Sequence, residues 1–225
     1  VSQKKQLNLF RKSNRHNQLE SYHPFDSENI TQFFDSQFMF GLNGFDIVIA
    51  NPPYIQIQKM REEIKDLESQ KYYVFARTGD VYCLFYERGI SFLKDNGILV
   101  YISSNTWMKA KFGEKLRQFL IEKVNPLVII NFDDARIFTS ATVETNILLL
   151  KNTKNENKLK ATNVSTDFYN YGSLVKYVTN NKLILSDLDV EPWAIIPQSY
   201  YLLKKKIEEK GKPIKYWKPL SFFRG

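Results

Sequence analysis

The sequence predicts an α/β fold, a β-sheet with helices covering its faces. Three observations predict it. A short, apolar, β-branched run, Phe45-Asp46-Ile47-Val48-Ile49-Ala50, stops abruptly at Asn51-Pro52-Pro53, where proline can no longer serve a strand ladder. Strand-like and helix-like patterns then alternate from about residue 80 to residue 150. Hydrophobic residues make up 43% of the 225, enough to bury a sizeable core.

Each element follows from its own pattern. Residues 1–24 are polar and basic and read as a helix end or a loose segment. Residues 33–40, Phe-Phe-Asp-Ser-Gln-Phe-Met-Phe, form an aromatic cluster that should pack. Phe45–Ala50 is a buried strand running into a rigid loop. Residues 59–71 are highly charged and read as an exposed helix or a loop. From Asp80 to Lys94, Val81, Leu84, Phe85, Ile90 and Leu93 suit a helix, with Asn96-Gly97 as its stop. Ile98–Ser103 is the next strand, Trp107–Lys123 an amphipathic helix, and Leu127–Phe132 and Thr145–Leu150 two further strands. Residues 151–160 read as a surface loop, after which the pattern weakens until a helix at Ser199–Lys210 that Gly211-Lys212-Pro213 ends.

The net charge of +8 is uneven. Residues 1–150 carry 18 Lys/Arg against 17 Asp/Glu, whereas residues 151–225 carry 14 against 7. A basic end fits a polyanion partner or a solvated lysine-rich face. The single cysteine, Cys83, lies in an apolar run and can form no internal disulfide, which points to a reducing compartment. Two histidines, His16 and His23, and no Cys/His cluster argue against zinc, and no other metal site is expected. No apolar run approaches the roughly 18 residues of a membrane span, and the lysine-rich N-terminus has no signal-peptide core.

The sharpest feature is Asn51-Pro52-Pro53-Tyr54 directly after a buried strand. Ligands of open α/β sheets bind at the carboxyl ends of strands. The prolines stiffen the loop. The Asn51 side-chain oxygen and the Pro52 carbonyl can together accept two hydrogen bonds from an exocyclic amine, and the Tyr54 ring can stack on a flat heterocycle. That set suits an adenine swung out of a duplex. A Pro-Pro turn that merely closes a strand is the plainer alternative; the apolar strand feeding it favours the functional one.

With the segments that follow, Gly44–Tyr54 resembles the catalytic motif of amino-methyltransferases that methylate adenine N6 in DNA. Thr78-Gly79-Asp80-Val81-Tyr82 and its helix, Asp95–Ile102, Ser104-Asn105-Thr106-Trp107 with Lys115-Leu116-Arg117, and Ala135-Arg136-Ile137-Phe138 with Val143 continue the resemblance in order. The similarity is greatest to large type II restriction–modification polypeptides that join methylation and cleavage in one chain. It implies a Rossmann-like, S-adenosylmethionine-dependent methyltransferase three-layer sandwich with a partial sheet. Residues 1–190 would be the catalytic half of that domain, and residues 191–225 the connection into a target-recognition domain.

The resemblance also implies roles. Asn51 and the Pro52 carbonyl hold and polarise the target amine, Tyr54 stacks on the adenine, and Phe138 contacts the same base from the other side. Val81 and Phe85 line the pocket for the cofactor's adenine, although core packing at helical spacing is their plainer reading. Trp107 reads as structural. Two acceptors on the amine favour the pyramidal geometry it needs to attack a methyl sulfonium, so the chemistry asks for no metal and no covalent enzyme intermediate.

The glycine-rich turn that opens the family's cofactor site has no counterpart, since no two of the nine glycines are spaced G-x-G. No nuclease constellation of acids and lysine stands out either. The expectation is therefore a piece of a longer polypeptide, inactive alone. Its partners would be double-stranded DNA, the N-terminal half of the same protein and, at an uncovered strand Phe45–Ala50, a second copy, unless residues 1–40 fold back to cover that strand. The bacterial cytoplasm is the implied location. A nucleic-acid-binding module without chemistry, or a methyltransferase acting on RNA or a protein glutamine, are the alternatives. The strand-to-Asn-Pro-Pro-Tyr junction argues against the first, and the basic end and the recognition-domain entry against the second.

Overall fold

The computed structural model describes residues 34–60, 64–132 and 144–212, together with His23 and Tyr216. Phe138 and its Ala135–Phe138 segment, residues 1–22, and most of the stretch after Lys212 lie outside the described residues. The chain divides into two compact units, residues 1–45 and 46–225. In the first, helix α1 (Ser36–Phe40) is opened by Asp35, whose carboxylate accepts from the Phe38 N–H at 3.0 Å, and closed by Gly41 in the left-handed region (φ 69°). The rings of Phe34, Phe40 and Phe45 sit 6.3–6.4 Å apart, so the aromatic run packs on itself and leaves Phe34 and Phe40 largely exposed.

The second unit is built on one six-stranded mixed sheet in the order β1-β2-β4-β3-β5-β6. The strands are β1 (Phe45–Ala50), β2 (Leu93–Ser104), β3 (Asn125–Phe132), β4 (Thr145–Lys151), β5 (Leu159–Asn163) and β6 (Leu183–Leu185). β4 lies antiparallel between β2 and β3, pairing Tyr101 with Leu148 and Ile129 with Leu148. β3 and β5 are parallel, and β5 and β6 antiparallel. Leu99, Ile129, Leu148, Leu150 and Ala161 are fully buried in the core. β1 stands at the end of the sheet order, with Val48 and Ala50 against the core and Ile47 and Ile49 exposed.

After β1 come a 3-10 turn (Ile57–Lys59) and helix α2 (Ile64–Ser69). Helix α3 (Val81–Ser91) buries Val81, Tyr82, Leu84, Tyr86 and Ile90. It lies close on β2 because residue 89 is glycine: a Cβ there would meet the Tyr101 hydroxyl at 2.0 Å and Leu99 Cδ1 at 2.9 Å. The helix ends three residues before the expected Lys94, and Leu93 is a buried β2 residue. Asn96-Gly97, expected to stop a helix, is instead a kink within β2. Asn96 is left-handed (φ 66°), a conformation asparagine tolerates. Asn152 holds the kink, accepting from Asn96 N at 3.0 Å and donating to the Gly97 carbonyl at 2.8 Å.

The single helix expected over 107–123 is three pieces: α4 (Thr106–Lys109), a 3-10 turn (Lys111–Gly113) and α5 (Glu114–Lys123). Ala110 breaks it with an extended backbone (ψ 153°). Gly113 then packs so tightly that a Cβ would lie 2.0 Å from the Trp107 carbonyl oxygen. Beyond Lys160, where the sequence pattern weakens, the chain still forms a second small core. Tyr177 of helix α6 (Leu174–Asn181) packs there with Phe132 and Val164. Helix α7 (Gln198–Lys210) falls where the Ser199–Lys210 pattern places it. No helix among the described residues is long and apolar enough to cross a membrane.

Candidate active site at the end of strand β1

Strand β1, expected to be buried, stands at the end of the sheet with no fully buried residue; it delivers Asn51 at its carboxyl end, exposed, followed by a buried Pro52, an exposed Pro53 and a half-buried Tyr54. The Tyr54 hydroxyl donates to Asn51 Oδ1 at 3.1 Å. Its ring stands edge-on to Tyr82 at 6.0 Å and 86°. Burial, and then the nearby Asp80 charge, raise the Tyr54 phenol above its ordinary value. The structure thus brings Asn51 and Tyr54 together.

The loop is fastened to the head of α3. Asp80 Oδ1 accepts from Ile55 N at 2.9 Å and, as helix N-cap, from Tyr82 N at 3.4 Å. Val81 N donates to the Ile55 carbonyl at 2.9 Å, and Ile57 N to the Gly79 carbonyl at 3.0 Å. Burial raises the Asp80 carboxyl above its ordinary value, opposed by the backbone N–H groups of Tyr82, Ile55 and Val81. Beside this clamp lies a cavity of about 370 Å³, lined by Tyr54, Ile55, Gln56, Lys59, Asp80, Ser104 and Thr106. The Ser104 and Thr106 hydroxyls are 2.8 Å apart. A larger cavity of about 500 Å³, lined by Trp193, Tyr201, Lys204 and Glu208 among others, includes none of the Asn-Pro-Pro-Tyr residues.

Val81 and Phe85 sit one turn apart on α3. Val81 is buried in the core and Phe85 is 40% exposed, and neither lines the 370 Å³ cavity. Trp107 is completely buried, edge-on to Trp193 at 5.3 Å, as its structural reading requires. Among the described residues no three His, Cys, Asp or Glu side chains gather as a metal site.

Sequence reasoning assigned no role to Asp80, Lys59, Ser104 or Thr106. Asp80 carried a usable signal, an aspartate directly before an apolar helix. It also missed a shelf of carboxamides where β2, β3 and β5 end and β4 begins. Asn105 Nδ2 donates to Asn131 Oδ1 at 2.8 Å and to Glu144 Oε2 at 3.3 Å. Asn131 Nδ2 donates to Asn163 Oδ1 at 2.9 Å, and Asn163 Nδ2 to the Ile195 carbonyl at 3.1 Å. Asn105 is 5% and Asn131 2% exposed, so these amides need one another.

Residues 2–138 match the model of the Eco57I restriction-modification methylase family. The chain belongs to that family. It is 30% identical over 180 residues to the type II restriction enzyme and methyltransferase RM.Eco57I of Escherichia coli, covering 74% of this chain and 17% of that protein. Among solved structures it is similar to a modification subunit assigned to a type I restriction enzyme of Vibrio vulnificus YJ016. There the TM-score is 0.55 at 14% identity, over 72% of this chain and 40% of that one. It is also similar to a nuclease-deletion mutant of the type ISP restriction-modification enzyme LlaGI in complex with a DNA substrate mimic. That match has a TM-score of 0.52 at 17% identity and covers 71% of this chain and 16% of that one. This Eco57I-family chain therefore has the expected α/β, Rossmann-like methyltransferase fold, and it spans less than a fifth of the length of RM.Eco57I.

Proposed function

We propose that this Eco57I-family chain carries the amine-holding side of a DNA adenine-N6 methyltransferase within a restriction–modification enzyme. The observation that supports it most is the pairing of Asn51 with Tyr54 at the end of strand β1, beside a cavity lined in part by Gln56, Lys59, Asp80, Ser104 and Thr106. Asn51 Oδ1 and the Pro52 carbonyl accept the two hydrogens of the adenine amine. Doing so favours the pyramidal nitrogen of the transition state over the flat, conjugated ground state. Tyr54 stacks on the base, for which about 1–3 kcal/mol is typical. Phe138 supplies the opposite contact.

S-adenosylmethionine, when bound, supplies an electrophilic methyl group. The residues present fit such a group. Phe85 offers a 40% exposed aromatic ring one helical turn from Val81, a surface suited to the cofactor's adenine. Gln56, Ser104 and Thr106 give the adjoining cavity donors and acceptors for polar groups. Double-stranded DNA is the proposed substrate, and exposed Lys204, Lys205, Lys206 and Lys210 on α7 supply positive charge for its phosphates.

The test is to incubate the intact polypeptide that carries this chain with isotopically labelled S-adenosylmethionine and duplex DNA, then digest the DNA to nucleosides. Label in N6-methyl-2′-deoxyadenosine is the expected result. Label in a cytosine, or in RNA or protein added as competitor, would overturn the reading.

A further inference from the structure

We propose that Asp80 is a positioning residue for the Asn51–Tyr54 loop, fastening the peptide that follows Tyr54 to the head of α3 and so setting where the two side chains meet the amine. Its functional part rests on the methyltransferase reading above. A helix N-cap needs only one short acceptor, which serine or threonine supplies without a charge. Asp80 does more. The same oxygen that caps Tyr82 N also takes the Ile55 N–H, 25 residues earlier in the chain, at 2.9 Å. Ile55 returns the contact through its carbonyl, which accepts from Val81 N.

Two of the contacts that hold Tyr54 therefore meet at Asp80. Its backbone neighbour Ile55 is held by the carboxylate, and its ring partner Tyr82 is the residue whose N–H the same carboxylate caps. Burial works against this charge, a cost that a neutral cap would avoid. The reach to Ile55 is what a neutral, shorter cap could not reproduce.

Two variants separate positioning from capping. Asp80→Ser keeps the cap and is too short to reach Ile55, while Asp80→Asn keeps both acceptor contacts and removes the charge. In the intact polypeptide we expect Asp80→Ser to lower kcat by about tenfold or more, with KM for S-adenosylmethionine and affinity for DNA changed by less than about threefold. Asp80→Asn restores kcat to within about threefold of wild type. Hydrogen exchange of the same proteins should show faster exchange in the peptide covering residues 52–57 for Asp80→Ser, with α3 still protected, and wild-type exchange for Asp80→Asn. Unchanged exchange at 52–57, equal loosening of α3, or failure of Asp80→Asn to restore either readout would each overturn the proposal. The exchange measurement needs no methyl transfer, so it decides the clamp even if the polypeptide methylates nothing.

Discussion

The Tyr54 hydroxyl donates to Asn51 Oδ1 at 3.1 Å, so the phenol engages the acceptor through which Asn51 is proposed to hold the target amine. Tyrosine and substrate amine compete for one oxygen, while the tyrosine ring is needed for stacking. These two jobs can be separated. Tyr54→Phe keeps the ring and frees Asn51, and its methylation rate should stay within about threefold of wild type. Tyr54→Ala loses the stack, and kcat/KM should fall by about tenfold to a hundredfold, the equivalent of 1–3 kcal/mol. Steady-state kinetics on a short duplex checks both. Equal losses in the two variants would show that the hydroxyl, not the ring, matters.

Asn51→Ala removes an acceptor that acts mainly on the transition state. Methylation should fall by about 10²–10³, while DNA affinity by gel shift stays near wild type. A variant retaining more than about a tenth of the rate would remove Asn51 from the mechanism.

Arg117 of α5 is 2% exposed and donates to three carbonyls, those of Val190 at 2.7 Å, Trp107 at 2.5 Å and Ala110 at 3.0 Å. It closes the break between α4 and α5 and holds the strap before Trp193 against it. Arg117→Ala removes all three bonds, the one to Trp107 fully buried, and should cost about 2–4 kcal/mol, a Tm lower by on the order of 10 °C by calorimetry. Arg117→Lys presents one point charge instead of a fork and should recover less than half of that loss.

Cys83 is 3% exposed, and burial pushes its thiol up to about 12 from an ordinary 9.0. Because the folded state resists ionisation, the stability this group contributes is full below pH 9.0 and falls as pH rises from there towards 12. Only the thiolate reacts with alkylating agents. At pH 8 iodoacetamide should leave the native protein unmodified and label Cys83 fully in denaturant, as read by mass spectrometry. Rapid native labelling would contradict the packing of α3 on the sheet.

What the sequence alone determined is what neighbouring residues decide. Phe45–Ala50 reads as a strand because its apolar, β-branched side chains and the two prolines after it act over six to eight residues. The same local chemistry made Asn51, Pro52 and Tyr54 stand out as a candidate site and α7 legible as a helix. It failed where a distant contact overrides the local pattern. Asn96-Gly97 has the signature of a helix stop, but Asn152, more than fifty residues away, turns it into a kink in β2. The 107–123 periodicity is helical throughout, yet it is three pieces, with Gly113 packed against the Trp107 carbonyl and Arg117 reaching to Val190.

Only the tertiary structure decided that β4 inserts between β2 and β3, that Asn105, Asn131 and Asn163 share one buried network, and that Asp80 meets Ile55 beside the cavity. Such contacts join positions 25 or more residues apart through single polar atoms. A lone asparagine or aspartate leaves no periodicity in the chain around it. Its partner is set by how the strands stack, and so such contacts become visible only when the sheet has formed.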